Sequence, residues 1–336
     1  MFTSCHGRKR IQREKNYMFM IVVPIFMVIL LGYFFGKLKP DSGSSDKLIN
    51  DYVLYIALPA LLFLAIARAD INELKQWGFI SSSLIGIVCI YLLSGFIAKC
   101  RGIPLPQSSI LSMGACYGTT GYMGVPILIS VYGQEAALPA AIATILHNIP
   151  AIMAVIISWD LFAASHKTET TSAATSFWKA IKTTFTNPLT VSVLAGLVFV
   201  VFGIRMPAFL EAFASFLGSA AGPTALFALG LGLSRLNIKE HVTGEALGIV
   251  APMLVLKIIL QPAITLLAGV YLFGMGEENA IWLAAAVVMA AQPIGAGVYV
   301  FAKKYEYKED TISLAIIASL LISLMTLPVI LSLLNG

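Results

Sequence analysis

Charged side chains are scarce in this 336-residue chain, at 12% of all residues, about half the ~25% of ordinary soluble domains. Hydrophobic residues reach 58% and the mean hydropathy is +0.87. So little charge excludes an ordinary water-facing surface and points to a polytopic membrane protein. Cysteine is rarer still, at four residues. Cys5, Cys89, Cys100 and Cys116 show no CxxC spacing and fall mostly within apolar segments, which argues against a disulfide framework or a zinc site. No metal site and no cofactor are expected. The chain carries no HExxH, no GxSG with a partner His and no DxxD, so nothing marks it as an intramembrane enzyme. It also lacks the GxxxxGK[ST] loop that would hold ATP. A net charge of +5 with no soluble basic face on which to collect it excludes nucleic acid as a partner.

What is present is a series of uncharged runs. A spanning helix needs roughly 20 mostly apolar residues, and ten such segments are centred near residues 27, 57, 88, 118, 150, 196, 222, 259, 289 and 322. The fold class expected is an all-α polytopic membrane protein of ten transmembrane helices. Short loops use the remainder, so function resides in the bilayer. The longest connection, 164–187, contains SHKTETTSAATS and reads as a flexible Ser/Thr-rich linker between a first five-helix unit (18–163) and a second (188–336).

Alternate loops differ sharply in basic charge. Loops after predicted helices 1, 3, 5, 7 and 9 hold thirteen Lys and Arg, against three (Arg68, Lys75, Arg205) on the other side. The positive-inside rule then places both termini outside the cytoplasmic membrane. The basic tail 1–17, with GRKRIQREK, disagrees with this vote. It looks like the start of a secretory signal, but the apolar run that follows is too long and lacks a small-residue cleavage site, so a first membrane helix is expected. Our hypothesis is that translation begins at Met18 or Met20; an N-terminal sequence of the membrane-extracted protein starting at Met1 would refute it.

The two units also resemble each other. LPALLFLAIAR (58–68) aligns with GPTALFALGLGLSR (222–235), and Pro126 falls opposite Pro293, with the register drifting by only three residues between the two matches. Five helices per repeat force the second copy to insert upside down. Such inverted repeats place their sites near the midplane, between discontinuous helices.

The fourth and ninth predicted helices carry the material for discontinuity. YGTTGYMGVPILIS (117–130) contains Gly118, Gly121, Gly124 and Pro126, and AAQPIGAGVYV (290–300) contains Gln292, Pro293, Gly295 and Gly297. Unwound backbone at membrane depth is tolerated only where it is buried or lines a cavity. A single such helix reads as close packing and a kink. A matched pair in opposite repeats reads as two crossed breaks, whose half-helix amino ends aim free N–H groups and partial positive charge at one point. That favours an anion, particularly a carboxylate. The candidate binding residues are Thr119, Thr120, Gly121, Tyr122 and Pro126 on one side and Gln292, Pro293 and Gly295 on the other, with Pro126 expected to start the second half-helix. Neither break contains Asp or Glu.

Three further polar residues lie deep in apolar segments, where such residues tend to be functional. Asn148 and His147 in the fifth predicted helix should pass beside the breaks. Asn148 reads either as a ligand to the solute or as a bond to a neighbouring helix; His147 could carry a proton. Lys257, midway along the eighth, reads either as a charge facing the solute or as a stem that snorkels to the interface.

TTGYMGVPI, AAQPIGAGVYVFAKKY, ALPALLF and NPL at 187–189 resemble the auxin efflux carrier family of membrane transporters, from Met18 onward. That family includes plant auxin exporters and bacterial permeases assigned to malonate, malate and similar carboxylates. The resemblance implies two inverted five-helix repeats with helices 4 and 9 broken and crossed. It also implies a scaffold of helices 1, 2, 6 and 7, a moving transport domain of helices 3–5 and 8–10, and elevator-like alternating access. A small organic anion as solute and a homodimer through the scaffold are implied with it. Seven residues before the helix 4 proline the family commonly has Asn; this chain has Thr119, one hydroxyl donor in place of an amide's two.

Overall fold

The computed structural model describes Met20 and residues 23–39, 43–162, 173–235 and 243–335. The tail 1–17 and residues 164–172 of the expected linker lie outside the described residues. Every regular element among the described residues is helical, and the β pairing present is one isolated antiparallel bridge, Gly118 to Ile294.

In chain order the helices are α1 (Val23–Leu38), α2 (43–67), α3 (Trp77–Cys100), α4 (Leu105–Cys116), α5 (Thr120–Tyr132), α6 (Ala137–Phe162), α7 (Ala173–Phe185), α8 (Pro188–Val201), α9 (Ala208–Ser234), α10 (Gly244–Leu272), α11 (Ala280–Ala290), α12 (Gly297–Lys304) and α13 (Glu309–Leu334). Six of them, α2, α3, α6, α9, α10 and α13, are long and apolar enough to cross a membrane. A seventh span results if α7 and α8, bent by 74° at their junction, are counted together.

Local chemistry sets the boundaries. Asn187 caps α8 by accepting the Leu189 N–H at 3.0 Å, with Pro188 at the first helical position, where a missing N–H costs nothing. Thr243 caps α10 through the Ala246 N–H at 3.1 Å. Three wide π-helical turns, 53–57, 120–124 and 255–260, each lie just ahead of a proline at the second position of the next α-helical stretch: Pro59, Pro126 and Pro262. A proline has no N–H to give and its ring crowds the carbonyl four residues back. A wide turn shifts the hydrogen-bond ladder by one residue and lets the chain continue.

The expected linker is not structureless. Its second part forms α7, whose Ser176, Ala180 and Thr184, spaced four apart, are buried, while Phe177 and Trp178 are exposed. The Ser/Thr-rich composition disguised this face, because the buried positions are themselves small or hydroxylic. Lys179 ties the helix to Asp160 at the end of α6, 2.9 Å away.

The buried apolar residues form two clusters. One draws on α3, α4, α6, α7, α10, α12 and α13, through residues such as Ile90, Met113, Val155, Met253 and Ile312. The other gathers α1, α2, α8 and α9 around α5, the first half of α6, α11 and the second half of α13, with Phe79 of α3. Within it α1 and α9 approach very closely. A Cβ added at Gly32 would strike the Phe227 carbonyl oxygen, and one added at Gly230 would strike that of Ile29. Only a residue without a side chain permits such backbone contact.

Candidate functional site: two interrupted helices that cross

Both glycine- and proline-bearing segments are interrupted. The first stops at Cys116, runs extended through Tyr117 (φ −87°, ψ 121°) and resumes at Thr120. The second stops at Ala290 and resumes at Gly297. The unwound strands hydrogen-bond to each other: the Thr119 N–H donates to Pro293 O and the Gly295 N–H to Tyr117 O, both at 3.0 Å. The close approach depends on glycine. A Cβ at Gly118 would lie 3.0 Å from Gln292 Cβ, and one at Gly295 would lie 2.9 Å from the Gly118 carbonyl oxygen.

One expectation needs correction. Pro126 does not start the second half-helix; the helix begins six residues earlier, at Thr120, as the π-helical turn in which the Val125 N–H reaches back to Thr120 O. The amino end offered to the break is therefore that of Thr120, Gly121 and Tyr122, whose amides have no intrahelical acceptor by the geometry of a helix start. Pro126 sits one turn further along.

The structure gathers most of the candidate residues in one place. Thr119, Thr120, Gly121, Pro126, Gln292, Pro293 and Gly295 are buried, and Tyr122 is partly so. The Thr119 hydroxyl reaches the Pro293 carbonyl at 3.5 Å, the long edge of a hydrogen bond, so the backbone pair makes the firmer tie. Gln292 donates its Nε2 to Val288 O at 3.0 Å, four residues back, leaving its Oε1 buried without a partner. α6 passes beside the first break, with the Thr144 methyl 3.8 Å from where a Gly121 Cβ would stand. One turn along that helix His147 is buried; its Nδ1 pairs with Ala143 O at 2.9 Å, and Nε2 has no partner. With the proton on Nδ1, Nε2 presents a lone pair. Asn148 is buried beside it.

Lys257 does not snorkel. It is fully buried on α10, and its ammonium donates to Gln261 Oε1 and to Ala290 O, each at 2.7 Å. Gln261, one turn on, donates its Nε2 to Cys116 O at 3.1 Å. Ala290 and Cys116 are the last residues of α11 and α4, so one Lys–Gln pair on α10 ties the carboxyl ends of both broken helices. Those ends carry orphan carbonyls and partial negative charge, which a cation offsets. Inferring a charge at residue 257 required only the sequence. Gln261 and Ser319, whose Oγ accepts the Ile294 N–H at 2.9 Å, were not foreseen, since their partners are backbone atoms far along the chain.

The chain is similar to known membrane transport proteins along most of its length. The family model described as "Membrane transport protein" matches residues 17–331. The "Putative malonate transporter" of Rhizobium meliloti (strain 1021) is 27% identical over 310 residues, 91% of this chain and 92% of that one. The "Auxin efflux carrier component 5" of Arabidopsis thaliana is 25% identical over 334 residues, 90% and 92% of the two chains. The "Lysosomal cholesterol signaling protein" of Mus musculus is 23% identical over 320 residues, 91% of this chain but 36% of that one. With its family model matched along almost the whole length, this chain belongs to the membrane transport protein family, that of the auxin efflux carriers.

Proposed function

We propose that the chain is a secondary transporter of small organic anions, mono- or dicarboxylates such as malonate or malate, across the cytoplasmic membrane. The observation that carries this reading is the mutual hydrogen bonding of the two breaks, Thr119 N–H to Pro293 O and Gly295 N–H to Tyr117 O. The half-helix amino end at Thr120, Gly121 and Tyr122, held inside apolar protein, offers N–H groups without an intrahelical acceptor to a carboxylate. The malonate named for the Rhizobium relative supports the solute class.

In the same reading the chain is two inverted five-helix repeats with both termini outside. α1, α2, α8 and α9 form the scaffold and the homodimer contact, and α3 to α6 with α10 to α13 move as an elevator. The backbone-to-backbone seam between α1 and α9 supports their standing together in the scaffold. The unpartnered Nε2 of His147 supports movement of a proton with the solute, while Lys257 serves the crossing itself.

Uptake of labelled malonate into proteoliposomes, compared between wild type and Thr119→Trp, tests the site. Loss of saturable uptake in the variant is expected. Equal transport by both proteins would sink the assignment of these residues to solute binding.

A further inference from the structure

Two chambers share part of their lining, including one charged side chain. The outer, about 830 Å³, is lined by Glu73, Glu135, Glu277 and Glu278 together with Arg68. The inner, about 540 Å³, runs between α1, α2, α5 and α9 as far as Pro126, and Arg68 is the one charged residue in its lining. Leu61, Leu64, Arg68 and Gln134 belong to both. Among the residues that line the two chambers Arg68 is the one cation.

Arg68 follows the last turn of α2, and its guanidinium pairs with Glu211 in the first turn of α9. Nη2 and Nε lie 2.6 and 2.8 Å from the same oxygen, Oε1. Two nitrogens on one oxygen fall short of the two-oxygen fork that makes Arg–carboxylate contacts strong and specific. Both side chains are about half exposed, 49% and 40%, and ion pairs in that setting contribute little to stability. A contact so weakly held can be exchanged for another carboxylate of better geometry, and arginine recognises carboxylates well.

We propose that Arg68 is the carboxylate-receiving residue at the entrance to the inner chamber: an incoming solute carboxylate takes the place of Glu211 on the guanidinium before moving towards Pro126. Glu211 is then a competitor held in place of the solute, and the charge on Arg68 selects anions at the only charged point of the inner passage among the described residues. This inference rests on the carrier reading above and deepens it.

The two partners of a structural ion pair fail in the same way when either is removed, whereas a receiver and its competitor fail in opposite directions. Initial rates of labelled malonate uptake into proteoliposomes would be measured for wild type, Arg68→Gln, Arg68→Lys and Glu211→Gln. Each protein is first checked for a monodisperse size-exclusion profile. Arg68→Gln is expected to raise KM about tenfold with maximal rate within about twofold, the scale of one lost charge-assisted contact. Arg68→Lys should raise it less, and Glu211→Gln should leave KM at or below the wild-type value. If Arg68→Gln does not fold, Arg68→Lys is read in its place. A variant at Arg68 with wild-type KM, or Arg68 and Glu211 variants that raise KM together, would overturn the proposal alone. A wild-type protein that transports no carboxylate would overturn the carrier reading and this inference with it.

Discussion

Ahead of the break at 117–119, the last helical carbonyl, Cys116 O, accepts a neutral amide from Gln261 at 3.1 Å; ahead of the break at 291–296, Ala290 O accepts the Lys257 ammonium at 2.7 Å. Beyond the breaks the contrast continues. α5 is buried from Val125 to Leu128 and places Pro126, Ile129 and Ser130 along the inner chamber. α12 is short, buries Val298 and Ala302, exposes Val300 and contributes nothing to that chamber. The Ile294 amide is further held by Ser319 of α13. Two segments that match in sequence thus divide the work: the second is clamped by a charge and a hydroxyl, and the first faces the passage.

The largest way to break this contrast is at the glycines. Gly295→Val places a branched side chain against the Tyr117 ring and the Gly118 carbonyl, and overpacking of that kind costs about 3 kcal/mol at the upper end of its range. Gly121→Ala meets only ordinary contacts, at 3.6 Å and beyond, and should leave stability within about 0.5 kcal/mol. Thermal unfolding in detergent compares them, and equal midpoints for the two variants would contradict the clamped second break.

Next come the two members of the α10 pair, whose order is less intuitive. Gln261→Leu keeps the buried ammonium but removes an acceptor from it and leaves Cys116 O unpaired, a loss of about 2 kcal/mol. Lys257→Met leaves two acceptors without a donor, but it also removes a charge whose burial in a bilayer costs about 3 kcal/mol. Replacing a buried charge with an apolar side chain of similar volume is often close to neutral, so a change of about 1 kcal/mol or less is expected. The double variant should then be as stable as Lys257→Met. Denaturation of all three by urea in micelles checks this; a Lys257→Met protein much weaker than Gln261→Leu would show that the ammonium is worth more than its desolvation.

The smallest effect is expected at Thr119. Because the backbone amide, at 3.0 Å, holds Pro293 better than the hydroxyl does at 3.5 Å, Thr119→Val should change stability by less than about 0.5 kcal/mol. Any change should appear in the KM for malonate, and a falling thermal midpoint with unchanged KM would make the hydroxyl a structural tie.

Much of this was legible beforehand for a physical reason. Gly, Pro and Gln are poor occupants of an apolar helix, so YGTTGYMGVP and AAQPIGAGV announced the two interruptions. Lys257 stood out as a charge deep in an apolar run, whereas Gln261, four residues on, did not. What sequence spacing could not carry were partners that are backbone atoms or lie far along the chain: Ala290 O for Lys257, Cys116 O for Gln261, and Glu211 for Arg68, 143 residues away. The start of α5 was misplaced at Pro126 because proline so often opens a helix; here a π-helical turn carries the helix past it. α7 was missed because Ser176, Ala180 and Thr184 look like linker composition until their spacing meets a packed neighbour.

The seam between α1 and α9 has one more consequence. With backbone against backbone at Gly32 and Gly230, the two helices have no depth of side chain over which to slide, so whatever rearranges during a transport cycle must do so elsewhere. Spin labels on outward-facing Leu30 of α1 and Phe216 of α9, both exposed, would therefore serve as a fixed ruler. A second label whose distance to that pair changes on adding solute would mark a part of the molecule that moves.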